Sequence, residues 1–200
     1  MKTVQLNRLG ALRAAAVIGL FALLLPLHVR AQSKVQLFGG FSYVRGDVTS
    51  SQSQGIPGVP VATTTQHPNL PGWEFSAAYK LVPFLSAKVD FGEDYGKLNG
   101  GSVRLKTVTF GPQLSFPGPV SPFVHAEFGF AHQAVAGYTG TVLVSPGTDT
   151  SFATVLGGGL DVPFVPFFAI RLIQLDYLRT SLYGRTQHEP RASIGIVLRF

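Results

Sequence analysis

The sequence contains no cysteine. That absence excludes a disulfide scaffold, a thiolate nucleophile, a Cys-ligated zinc and a lipidated N-terminal cysteine. Charge is scarce too. Only 13% of the 200 residues are Asp, Glu, Lys or Arg, about half the ~25% of an average soluble domain, while 46% are hydrophobic. This balance excludes a disordered, highly charged chain. Nor is there an apolar run long enough to cross a bilayer as a helix: the longest, Ala14 to Leu25, has twelve residues, and about 20 are needed. There is one tryptophan, Trp73, and 14 prolines and 23 glycines are spread along the chain.

The net charge of +6 invites a nucleic-acid reading until the charges are located. Lys2, Arg8 and Arg13 precede the apolar run, and Val29-Arg30-Ala31 follows it with small residues at the positions a signal peptidase reads. Residues 1–31 therefore read as a cleavable secretory signal, with an uncleaved anchor as the alternative. Removing Lys2, Arg8, Arg13 and Arg30 lowers the Lys and Arg total from 16 to 12 against ten acids, which leaves +2. No nucleic-acid partner is expected of residues 32–200.

Those residues alternate. Trp73, Phe75, Ala77, Tyr79 and Leu81 are interleaved with Glu74, Ser76, Ala78 and Lys80, the period-two pattern of a strand with one greasy and one polar face. The pattern recurs at Leu85 to Gly92, at Val124 to Ala131 and at Ser193 to Phe200. Segments 34–46, 102–116, 150–162 and 167–178 complete eight strands with poorer phase. In 102–116 the apolar set moves from Val103 and Leu105 to Val108 and Phe110, which predicts a bulge near Lys106. A similar slip lies between Arg171 and Gln174. Short proline turns follow strands two, four and six, at 82–84, 117–123 and 163–167. Longer polar segments follow strands one, three, five and seven, at roughly 47–71, 93–101, 132–149 and 179–190. Short and long connections segregate to opposite rims only in an up-and-down meander, the organisation of outer-membrane barrels. Aromatics collect at strand ends, with Phe84, Phe116, Phe123, Phe164, Phe167 and Phe168 at the turn rim and Tyr43, Trp73, Tyr138, Tyr177 and Tyr183 toward the loop rim. This predicts two interfacial girdles.

The C-terminal Ser193-Ile194-Gly195-Ile196-Val197-Leu198-Arg199-Phe200 resembles the assembly signal of outer-membrane proteins, with Ser193, Gly195, Leu198 and Phe200 in the defining places. With Val35 to Tyr43, Gly157-Gly158-Gly159-Leu160-Asp161 and Ala169 to Tyr177, it makes residues 33–200 resemble the small outer-membrane β-barrels of the OmpA/OmpX type and the outer-membrane β-barrel domain family. The resemblance implies an all-β, eight-stranded antiparallel transmembrane barrel in the cell outer membrane. It also implies contact with outer-membrane lipid and lipopolysaccharide, and handling by the barrel-assembly machinery.

Eight strands enclose a space that side chains fill, so no broad pore is expected. Lys88, Asp90, His125, Glu127, Arg171, Asp176 and Arg199 are expected to form a paired interior network, because an unpaired buried charge is costly. No catalytic residue, metal or cofactor is predicted. The enzymatic alternative is a lipid-modifying enzyme: outer-membrane lipid A deacylases resemble this architecture and pair a strand histidine with a serine. His125 has no serine beside it on its own strand face, and Ser86 or Ser76 would have to reach it from elsewhere. The other alternative is a soluble lipocalin-like binder, with the apolar faces turned inward. His67, His132 and His188 fall in or beside connections without metal-ligand spacing. The triple glycine lacks the context of a phosphate loop and reads as a site of curvature. Segment 47–71 reads as a mobile loop able to contact an extracellular ligand.

Overall fold

The computed structural model describes residues 34–46, 48–52, 62–98, 101–116, 118–139 and 142–200. The predicted signal segment, 1–31, lies outside them. Eight strands close a barrel: β1 (Val35–Arg45), β4 (Asn69–Val82), β5 (Leu85–Leu98), β6 (Gly101–Ser115), β7 (Ser121–Thr139), β8 (Val142–Val165), β9 (Phe168–Thr180) and β10 (Gln187–Arg199). Every neighbouring pair is antiparallel, the strands from β4 to β10 pair in consecutive order, and β1 pairs with both β4 and β10 to shut the cylinder. At the turn rim Val35 and Phe200 exchange both backbone hydrogen bonds, at 2.9 and 2.8 Å. Closure leaves no free strand edge, as a chain surrounded by lipid requires.

The faces are inverted relative to a soluble barrel. Phe75, Tyr79, Phe91, Phe110, Phe128, Phe130, Leu156, Leu175, Ile194 and Ile196 are exposed, while Glu74, Lys88, Asp90, Glu127, Arg171 and Asp176 are buried. A soluble lipocalin-like binder needs the opposite assignment, and that reading gives way here. Placing a charge on the apolar belt should be costly: Phe128→Arg, in the pair that Phe128 makes with Phe110 at 4.4 Å between ring centroids, is expected to lose about 2 kcal/mol in urea unfolding from lipid vesicles.

Four expectations need correction. First, β6 carries no bulge: its pairing with β5 runs in register from Leu85↔Leu114 to Leu98↔Gly101. Val103 and Leu105 point inward and Arg104 and Lys106 outward on an unbroken strand. It is the environment that changes, because here the outer face leaves lipid for water and the inner face enters an apolar cap. That cap comprises Val44, Leu70, Val103, Leu105, Ala131, Ala153, Val155, Leu178 and Leu182. Second, much of the polar sequence assigned to 93–101, 132–149 and 179–190 is strand. β5 runs to Leu98, β7 to Thr139, and β8 begins at Val142. Backbone pairing continues after the hydrophobic contrast that revealed it has gone. Third, segment 47–71 contains a hairpin, β2 (Val48–Gln52) paired with β3 (Ala62–Gln66), and β4 starts at Asn69. Ser and Thr dominate that hairpin, and Thr suits a pleated surface even without an apolar face. Fourth, Phe123 is buried in the lumen and leaves the turn-rim girdle, while the side chain of Tyr138 lies outside the described residues. The slip between Arg171 and Gln174 is present: pairing on both sides of β9 shifts there, and Leu172 and Ile173 both face outward. The bulge lets Arg171 and Gln174 both point into the lumen.

Candidate functional site

The candidate site is the middle of the lumen. Lys88 on β5 lies 3.1 Å from Asp90 on the same strand face and 2.9 Å from Glu127 on β7. Thr109 of β6 donates to the other oxygen of Glu127 at 2.6 Å. His125 takes Lys88 Nζ at Nδ1, 3.3 Å away, and Asp176 of β9 at Nε2, 2.9 Å away. Arg191 of β10 closes the ring. It donates to Asp176 through Nε at 3.0 Å and Nη2 at 2.8 Å, approaches Asp90 at 3.4 Å, and lies 3.5 Å from Glu74. Glu74 also accepts from Gln174 at 2.7 Å and from Ser193 at 2.5 Å. The ion-pairing side chains of this cluster are excluded from solvent.

The strand directions explain why these residues meet. Period-two alternation sends one face of each of β4, β5, β7, β9 and β10 inward, and register places His125, Gly157 and Asp176 in a row across β7, β8 and β9. A Cβ on Gly157 would stand 2.0 Å from Asp176 Oδ1 and 2.6 Å from His125 Nε2. The histidine therefore crosses β8 over a residue with no side chain. Gly159 similarly underlies the Phe123 ring, 2.8 Å from its would-be Cβ. The triple glycine is thus a passage for neighbouring side chains, a more specific role than curvature.

A second layer sits nearer the turn rim. Arg171 forks onto Asp161, with Nε at 2.8 Å and Nη2 at 3.3 Å, and donates to Gln174 at 2.6 Å. Its guanidinium lies between two aromatic faces, 4.2 Å from the Phe38 ring and 4.1 Å from that of Phe123. A desolvated cation over an aromatic face gains on the order of 2 kcal/mol. Arg199, one-fifth exposed, reaches Asp161 at 3.4 Å. The structure therefore brings Lys88, Asp90, His125, Glu127 and Asp176 into one cluster. Arg171 and Arg199 join a neighbouring one around Asp161.

Arg191, Gln174 and Ser193 also belong to the central cluster but were outside the expected network. The clear alternation begins only at Ser193, whereas the strand itself begins at Gln187, and continuing the alternation back by two residues puts Arg191 on the inner face. Glu74 stands on the polar face of the alternation from Trp73 to Leu81, although nothing in the spacing indicates its partners.

At the loop rim, Arg104 and Lys106 approach Glu93 at 3.7 and 3.3 Å on the outer surface, where ion pairs contribute little stability. Tyr183 has φ 54°, and its hydroxyl donates to the Gly147 carbonyl at 3.1 Å. It ties the β9–β10 connection to β8.

A closed eight-stranded antiparallel cylinder with an apolar exterior and a charged, packed lumen is the fold of the small transmembrane β-barrels, and solved outer-membrane proteins share it. Among solved structures the chain is similar to Ail, the attachment invasion locus protein of Yersinia pestis, with TM-score 0.56 and 16% identity, covering 84% of this chain and 99% of that one. Ail has also been crystallised in complex with the heparin analogue sucrose octasulfate. Neisserial surface protein A is similar to the same degree, with TM-score 0.56, 15% identity and coverage of 83% and 97%. No family model and no curated protein matches the chain.

Proposed function

We propose that this chain is an integral outer-membrane β-barrel with a structural or surface-interacting role, its lumen closed by a polar plug. The inversion of its faces carries the reading, since only a lipid surround makes an aromatic and aliphatic exterior favourable around a charged interior. Above that exterior, Arg45, Lys97, Arg104, Lys106, Arg179 and Arg185 are exposed on the loop side. They sit where the phosphates of lipopolysaccharide would meet the barrel, and Lys106 stands opposite His132 in the β6–β7 register. A basic rim of this kind also suits an extracellular polyanion, the ligand class that the sucrose octasulfate complex represents for Ail.

Leu198 and Phe200 face outward, available to the barrel-assembly machinery, with Ser193 and Gly195 completing the signal. Gly195 has a packing role as well, for a Cβ there would meet the Phe38 ring at 2.9 Å and the Gly39 carbonyl oxygen at 2.3 Å. The lipid-modifying alternative is not favoured: both ring nitrogens of His125 are engaged by Lys88 and Asp176, which leaves neither to activate a serine.

The test is membrane fractionation followed by electrophoresis of unheated and boiled samples. Recovery in the outer membrane with a heat-dependent mobility shift is expected, and the Arg104→Glu, Lys106→Glu double variant should keep the shift while co-purifying with less lipopolysaccharide. Recovery in the soluble periplasm with no shift would overturn the assignment.

A further inference from the structure

We propose that the turn-side mouth of the lumen binds a phosphate group. A recess of about 220 Å³ opens there, and its wall is unlike the rest of the interior. Lys34, Lys80 and Arg199 line it together with Ser86 and Ser115, and among the described residues no carboxylate side chain lines it. The three cations come from neighbouring chain segments. Lys80 N–H donates to the Lys34 carbonyl at 2.7 Å, and Arg199 pairs across from Gln36, two residues along from Lys34. Ser86 faces Lys80 in the β4–β5 register. Ser115 accepts from Gln113 at 2.9 Å, so its own O–H remains able to donate.

The nearest acid, Asp161, is already engaged by Arg171, by Gln36 at 3.1 Å and by Arg199 at 3.4 Å. Among the described side chains, the turn-side part of the lumen thus holds Lys34, Lys80, Arg171 and Arg199 against Asp161, a surplus of three positive side-chain charges. Deeper in, the balance reverses: Glu74, Asp90, Asp94, Glu127, Asp176 and Glu189 outnumber Lys88 and Arg191. Packing alone does not call for four cations to share one side-chain counter-charge at one mouth while acids are in excess elsewhere. A multivalent oxyanion supplies the missing charge. Ammonium, guanidinium and hydroxyl donors converging on one recess are the groups that hold phosphate oxygens through charge-assisted hydrogen bonds. The recess is larger than a phosphate ion and admits a small phosphomonoester, so the group could arrive as free phosphate or as the head of a glycerophospholipid. This site is separate from the loop-side basic rim and does not depend on what that rim touches.

The test titrates the folded barrel, in a maltoside detergent free of phosphate, with inorganic phosphate and separately with glycerol 3-phosphate at fixed ionic strength, followed by calorimetry. Saturable 1:1 binding of either probe is expected, at least tenfold weaker in Lys80→Gln and in Lys34→Gln. Stronger binding of glycerol 3-phosphate points to a headgroup source, and equal or stronger binding of phosphate to the free ion. The heat-dependent mobility shift verifies folding of each variant. Exposed Lys34 is the variant least able to disturb the barrel, so it decides the matter if Lys80→Gln does not fold. Absence of saturable binding, or unchanged affinity in folded Lys34→Gln, overturns the proposal.

Discussion

Arg191→Leu is expected to destabilise the barrel by about 3–5 kcal/mol, the cost of removing one partner from a buried ion pair and leaving the other uncompensated. The size follows from what Arg191 faces. Asp176, Asp90 and Glu74 all lie within 3.5 Å of its guanidinium, in a lumen closed to solvent at that level. Leucine occupies part of the volume but supplies no charge and no donor, so three carboxylates lose their shared counter-ion together. Lys88 is too far committed to Asp90 and Glu127 to replace it. The measurement is urea unfolding in lipid vesicles followed by the fluorescence of Trp73, the single tryptophan, which sits exposed on the outer face. Adding Glu74→Gln to Arg191→Leu should recover part of the loss, because it removes one of the stranded charges and keeps an oxygen for Ser193 to donate to. A loss below about 1 kcal/mol for Arg191→Leu would mean that the lumen is hydrated enough to screen the carboxylates, contrary to the dry plug described above.

The same residue shows where the sequence is legible and where it is not. Lipid outside and charge inside give each strand a strong contrast between successive side chains, and within the apolar belt the alternation assigns faces correctly: Glu74, Lys88, Asp90, His125, Glu127, Asp176 and Arg199 all turn inward. Beyond the lipid the contrast disappears while the strand does not. Arg104 and Lys106 lie in that zone, and their apparent slip is an exchange of environments on an unbroken β6; Arg191 sits deeper, opposite Asp176, and is hidden because its neighbours Pro190 and Ala192 supply little apolar contrast. Partner choice is a separate matter. His125 meets Asp176 51 residues away, and Arg191 meets Asp90 101 residues away. These pairs depend on barrel closure and register, which no local spacing contains. The bulge in β9 was readable because both faces changed phase inside the lipid belt, where a phase change has only one cause.

Gly157→Val tests the register argument at its tightest point. Gly157 is the inward-facing residue of β8 between His125 and Asp176, and the space above it is filled by the bond between them. A β-branched side chain would begin with a Cβ 2.0 Å from Asp176 Oδ1, and the Leu175 carbonyl oxygen, at 2.7 Å, closes the retreat on the β9 side. Overpacking a filled interior typically costs 1–3 kcal/mol. Here relief requires separating His125 from Asp176, which adds the loss of a buried hydrogen-bonded pair, so a total loss of about 3–5 kcal/mol is expected. Gly184→Ala is the control: Gly184 has φ +71° but nothing within 4 Å of its would-be Cβ, so its cost is backbone strain alone, about 1 kcal/mol. If valine at 157 merely thickened the wall, the two variants would unfold at similar urea concentrations. If it breaks the crossing of β8, Gly157→Val unfolds at much lower urea and His125→Ala added to it costs little more, because the contact that histidine makes has already been lost.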